Sequence, residues 1–162
     1  MSKRTKDDLD MTLTEKDFES IIQNSSKYVQ GDIKWLQHPQ HELLVKFKVE
    51  INSDLDIALS IRGTYNLITS ALSYHLIFPP YGRIYGLDLG KEHKNPDGKL
   101  VGEKHKHRWT EIYRDKIAYV PDDITATQNN PVLVWQQFCQ EAIIKHDGIM
   151  LTPPALQGDL FL

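Results

Sequence analysis

Two histidines with one residue between them, His105 and His107, lie in the run Glu103-Lys-His-Lys-His-Arg-Trp-Thr-Glu111. With His93, they place three of the chain's seven histidines within residues 93–107. Side chains at i and i+2 share one face of a strand, so this pair can converge on a common target. Imidazole titrates near neutral pH, and the pair could act as general base and acid on a phosphodiester. The same nitrogens suit a divalent metal such as zinc or manganese, with His93, His105 and His107 as ligands and Glu103 as the carboxylate.

Nearby residues fit either chemistry. Arg83 or Lys106 would stabilise a pentavalent phosphate, and Asp88 or Glu111 would orient an imidazole. Lys104, Lys106 and Arg108 suit phosphate oxygens. Trp109 is a stacking platform for a base, or a piece of aromatic core. Residues 91–116 hold eight Lys and Arg against five Asp and Glu, a local +3 on a chain of net charge −3. That asymmetry points to an anionic ligand. The plainer alternative is that Lys-His-Lys-His-Arg guards an edge strand against pairing with another chain.

A hairpin must position these residues. Asn95-Pro96-Asp97-Gly98 suits a type I turn followed by a left-handed glycine, a three-residue hairpin loop. Extending that register sets Leu89 opposite His105, Leu87 opposite His107, Tyr85 opposite Trp109 and Arg83 opposite Glu111. His93, Glu103, His105, His107 and Glu111 then share a face, with Asp88 on the other beside Lys106. A slip of one residue would reverse that grouping and set Asp88 opposite His105.

Around this hairpin, the spacing predicts a helix over 14–29, capped by Thr14 and ended by Gly31. Alternating apolar residues predict strands over 43–51 and 55–61, and others in 67–78, 82–89, 104–113 and 117–120. Asp115-Lys116 reads as a tight turn. Asn130 and Pro131 open a second helix that runs to about residue 147, ahead of Gly148. Cys139 on its apolar stripe reads as core. The expected fold is one α+β domain over 13–149, with an antiparallel sheet of five to seven strands and a helix from each end packed on it. Residues 1–12 read as a disordered tail, and 150–162 as an apolar one ending Leu160-Phe161-Leu162.

With 162 residues, 40% hydrophobic and 25% charged, the chain can bury a core without disulfides. One cysteine and the lack of a signal sequence suggest a cytoplasmic protein. No apolar run reaches membrane-spanning length. No phosphate-binding glycine loop or nucleophile elbow occurs.

Residues 83–107 resemble the TumE-like toxins of bacterial toxin–antitoxin pairs, through Arg83, Asp88, His93, His105, Lys106 and His107. The alternative is a bacterial or phage family sharing only the His-x-His strand. The resemblance implies a small cytoplasmic protein of toxin or mobile-element type that acts on RNA. A ribonuclease-type phosphodiesterase is therefore the leading expectation, with RNA or another phosphate-bearing ligand as partner. The competing class is a non-catalytic regulator or homo-oligomer that binds a protein partner through a sheet edge and the C-terminal tail.

Overall fold

Alternating apolar and polar residues in the middle of the chain build one large sheet with two unlike faces. The computed structural model describes residues 13–156. In order, the elements among these described residues are α1 (Glu15–Gln23), β1 (Tyr28–Gln30), β2 (Leu36–His38), β3 (His41–Ile51), β4 (Leu59–Asn66), β5 (Leu72–Phe78) and β6 (Gly82–Leu89). There follow β7 (His93–Lys94), β8 (Leu100–Val101), β9 (Lys104–Thr110), β10 (Arg114–Tyr119), α2 (Pro131–Glu141) and β11 (Lys145–Asp147). Seven strands form an antiparallel sheet in the order β10-β9-β6-β5-β4-β3-β2. Over the described residues the protein is thus α+β, with a seven-stranded antiparallel sheet and two helices. The tails expected at 1–12 and at Leu160-Phe161-Leu162 lie outside the described residues.

One face of the sheet is apolar. Val45, Phe47, Ile61, Tyr74, Leu76, Tyr85 and Leu87 are buried there with Trp135 and Phe138 of α2. The Phe138 ring lies 5.7 Å from that of Tyr74 and 5.4 Å from that of Tyr85. Gly63 lets the Phe47 ring lie flat on β4, since a Cβ there would come within 2.1 Å of Phe47 Cε1. Gly63→Ala should therefore cost about 1–3 kcal/mol through overpacking, read as a lower urea midpoint at unchanged slope.

Both helices are shorter than their apolar stripes suggest. Thr14 Oγ1 caps α1 by accepting from the Asp17 N–H at 3.0 Å. The helix stops at Gln23 because Asn24 Oδ1 turns back to accept from the Ser26 N–H at 2.9 Å, a local bond that competes with the helix ladder. The buried Lys27 ammonium closes the end, donating to the carbonyls of Ile21, Ile22 and Asn24 at 2.6, 2.8 and 2.5 Å. Val29, expected on the helix, is buried in β1 instead. Likewise α2 ends at Glu141, and residues 145–147 leave it to pair in parallel with β1. His146, expected at a helix terminus, donates to Gly31 O at 2.7 Å and accepts from Trp135 Nε1 at 3.0 Å.

The hairpin register differs by one residue from the one its turn implies. At the tip the turn forms as expected, with Asn95 N–H donating to Lys99 O at 2.9 Å and His93 paired with Val101. Nearer the sheet, Asp88 pairs with His105 and Gly86 with His107. The extra residue lies between Leu89 and His93, where Gly90 takes a φ of +85° that favours glycine. The turn expected at Asp115-Lys116 also lies earlier, at residues 111–113, so Asp115 belongs to β10.

Candidate functional site

The one-residue shift puts Asp88 and the two histidines of β9 on one face. Across five strands, Lys46, Thr64, Ser73, Asp88 and His105 form one cross-strand row. Lys48, Arg62, His75, Gly86 and His107 form the next. These rows lie on the polar face, away from α2. Gly86 leaves room between the two imidazoles of its row: a Cβ there would come within 2.7 Å of His75 Cδ2. His75 leans over that gap to reach Asp88.

Asp88 is the centre of the cluster. Its Oδ1 accepts from Ser73 Oγ at 2.5 Å and lies 3.0 Å from His75 Nε2. Its Oδ2 lies 3.2 Å from His105 Nε2, 3.2 Å from His107 Nε2 and 3.7 Å from Arg83 Nη1. Burial alone would raise its pKa, but the hydrogen bonds from His105, His107 and His75 outweigh this and hold the carboxyl below its usual range. For His107 the balance is opposite: burial pushes its pKa down, against the Asp88 hydrogen bond that pulls it up.

Each inner imidazole is fixed from behind by backbone. His105 Nδ1 lies 2.9 Å from Gly102 O, and His107 Nδ1 lies 2.9 Å from Asp115 O. His93 Nε2 lies 2.7 Å from Lys116 O. The carbonyls of Asp115 and Lys116 are available because β10 breaks register between Arg114 and Ile117, which turns these groups out of the ladder. The β7–β8 hairpin folds over this edge. Asn95 binds both backbone groups of Ala118 at 2.9 Å, and the His93 ring stands 4.6 Å from that of His107. Beneath this cover His105 and His107 are only 1% and 2% exposed.

The mouth of the cluster is lined by partly exposed groups. The His75 side chain is 27% exposed and that of Arg83 21%. Arg83 donates from Nε to Asp115 Oδ2 at 3.1 Å. Lys91 reaches in from the loop to Ser73 Oγ at 3.2 Å.

Of the residues singled out from sequence, Asp88, His105, His107, Arg83 and His93 meet here. The others do not. Glu103 is exposed, and Glu111 accepts from the Glu15 N–H at 3.1 Å beside the start of α1. Lys104, Lys106 and Arg108 point to the opposite face, toward Ile124 O, toward Asp123 and Glu141, and toward Glu19 respectively. Trp109 is buried, donating to Leu13 O at 2.7 Å. Ser73, His75 and Asp115 join the cluster although sequence reasoning did not assign them to it. The first two carried a signal, being polar alternates between the apolar Leu72, Tyr74 and Leu76 of β5.

No helix among the described residues is long and apolar enough to cross a membrane. Neither the curated proteins nor the solved structures contain a match to this chain. A family model does match, over residues 13–144, and spans every element described above except β11. By that match the chain belongs to DUF6978, a family of unknown function.

Proposed function

We propose that this protein is a ribonuclease-type phosphodiesterase acting at the Asp88 cluster. The observation that carries the reading is the setting of the cluster: it shares two cross-strand rows with Lys46, Lys48 and Arg62, which are exposed on the polar face of β3 and β4. Among the described residues Lys46 and Arg62 have no acidic partner, and Lys48 has only Glu50, at 3.8 Å. A strand of phosphates laid along these rows meets cations and then arrives at Arg83, Lys91 and His75.

The roles divide by exposure. Arg83 is the charged fork nearest the carboxylate and suits the developing charge of a pentavalent phosphate. His75 and His93 are the imidazoles that solvent reaches, and proton transfer to and from the ligand falls to them. His105 and His107 lie too deep to touch a substrate's hydroxyl directly, so their part is played behind the groups that meet the substrate.

The test is cleavage of a single-stranded RNA oligomer by purified protein. Arg83→Gln should lower kcat/KM about 10²–10³-fold, as losing one preorganised charge-stabilising donor does. Replacing Lys46 and Arg62 together by Gln should raise KM and flatten its dependence on salt, with kcat little changed. An inactive wild type, or an Arg83→Gln variant as active as wild type, contradicts the reading.

A further inference from the structure

Each of the two buried imidazoles stands between two acceptors. His105 lies between Gly102 O and Asp88 Oδ2, and His107 between Asp115 O and the same Asp88 oxygen. A neutral imidazole carries one N–H and one lone pair. In each ring the proton satisfies one acceptor and leaves a lone pair facing the other. The carbonyl contacts are the shorter, at 2.9 Å against 3.2 Å, so when each ring keeps its proton on Nδ1 both Nε2 lone pairs are free to turn from hydrogen bonding with Asp88 to holding an ion. In that tautomer two imidazole nitrogens and a carboxylate oxygen converge in a buried site, the donor set of a metal cation.

We infer that Asp88 Oδ2, His105 Nε2 and His107 Nε2 bind one divalent transition-metal ion of the zinc class. The three ligand atoms lie within 4.8 Å of one another. A tetrahedral ion with bonds near 2.0–2.1 Å separates its ligands by roughly 3.3 Å. Asp88 Oδ2 already stands 3.2 Å from each Nε2, so these two separations need little change to close on an ion.

The surroundings match what such ligands require. With Nε2 on the ion, each ring has its Nδ1–H to donate to the backbone carbonyl 2.9 Å away, which fixes tautomer and orientation. The free oxygen of the carboxylate is held by Ser73 and His75. Two nitrogens and one oxygen favour zinc, cobalt or iron over magnesium or calcium, which take oxygen ligands. Arg83 Nη1 stands 3.7 Å from the ligating oxygen, where an anion on the ion's remaining position would find a positive partner. The metal set differs from the one the sequence suggested. Asp88 takes the carboxylate place in which Glu103 was expected, and the His93 nitrogens fall outside the cluster of ligand atoms.

Ion binding stands on this geometry alone; what the ion acts on rests on the phosphodiesterase reading. The test is titration of chelator-treated, full-length protein with zinc, and with cobalt for its visible absorption. One equivalent should bind, with a spectrum typical of a low-coordinate nitrogen–oxygen site. His105→Gln should weaken zinc more than about a hundredfold, beyond the loss from altering a supporting group. Arg83→Gln should keep full binding while losing RNA cleavage.

Should His105→Gln fail to fold, imidazole nitrogen NMR of wild type decides instead: two Nε2 resonances, and only two, should move on adding zinc. Absence of saturable binding by the folded wild type overturns the inference, as does unchanged affinity in a folded His105→Gln variant. Stoichiometric binding without RNA cleavage upholds the metal site and overturns the phosphodiesterase reading. Full cleavage by metal-free protein that also binds no zinc does the reverse.

Discussion

Asp88→Ala should destabilise the metal-free protein by about 3–5 kcal/mol, the range for removing one partner from a buried charged network. Asp88 is 5% exposed and is the shared partner of Ser73, His75, His105, His107 and Arg83. Its loss leaves the Ser73 hydroxyl proton without its acceptor, with Lys91 as the remaining partner of that oxygen, and a guanidinium with Asp115 as its remaining counter-charge. Three imidazoles, those of His75, His105 and His107, lose the group that faces their Nε2 atoms. Asp88→Asn keeps the shape and one acceptor oxygen, so it should cost clearly less. Urea unfolding followed by circular dichroism measures both. A loss below about 1 kcal/mol for Asp88→Ala would mean that the cluster does not organise this part of the sheet.

Lys106→Ala should cost about 3 kcal/mol, from lost packing and from two carboxylates left without their cation. Lys106 is completely buried between Asp123, at 2.6 Å, and Glu141, and its ammonium stands 5.5 Å from the centre of the Tyr85 ring. Asp123 and Glu141 are each about a third exposed, at 33% and 39%, so water can rescue part of the loss. Lys106→Met should restore most of the packing and stability while leaving RNA cleavage intact, because this side chain points away from the cluster. A Lys106→Met variant that folds as well as wild type but cannot bind RNA would place a phosphate contact on the wrong face of β9.

These two residues show what was legible in the sequence and what was not. Period-two alternation located β6 to the residue and most of the other large strands, because a half-buried sheet imposes that pattern. The tip of the hairpin was equally readable from Asn95-Pro96-Asp97-Gly98. The register was not. Gly90 adds one residue between tip and sheet, and a one-residue slip exchanges the faces, which brings Asp88 to His105 and sends Lys106 to the core. The same kind of irregularity hid Asp115: the β10 bulge falls where a turn was expected. The helix over 14–29 overran because an apolar residue at helical spacing, Val29, also fits a buried strand. Within the cluster, Asp88, His105, His107, Arg83 and His93 stand close enough in sequence to be read as a group. Ser73, His75 and Asp115 do not, since only tertiary pairing brings β5 and β10 to that place.

The most direct measurement is an anomalous difference map at the zinc absorption edge, from crystals of the full chain grown with zinc. One strong peak is expected in each chain, about 2.0–2.2 Å from Asp88 Oδ2, His105 Nε2 and His107 Nε2. No peak there, or zinc held only by surface histidines such as His38 and His41, would contradict it.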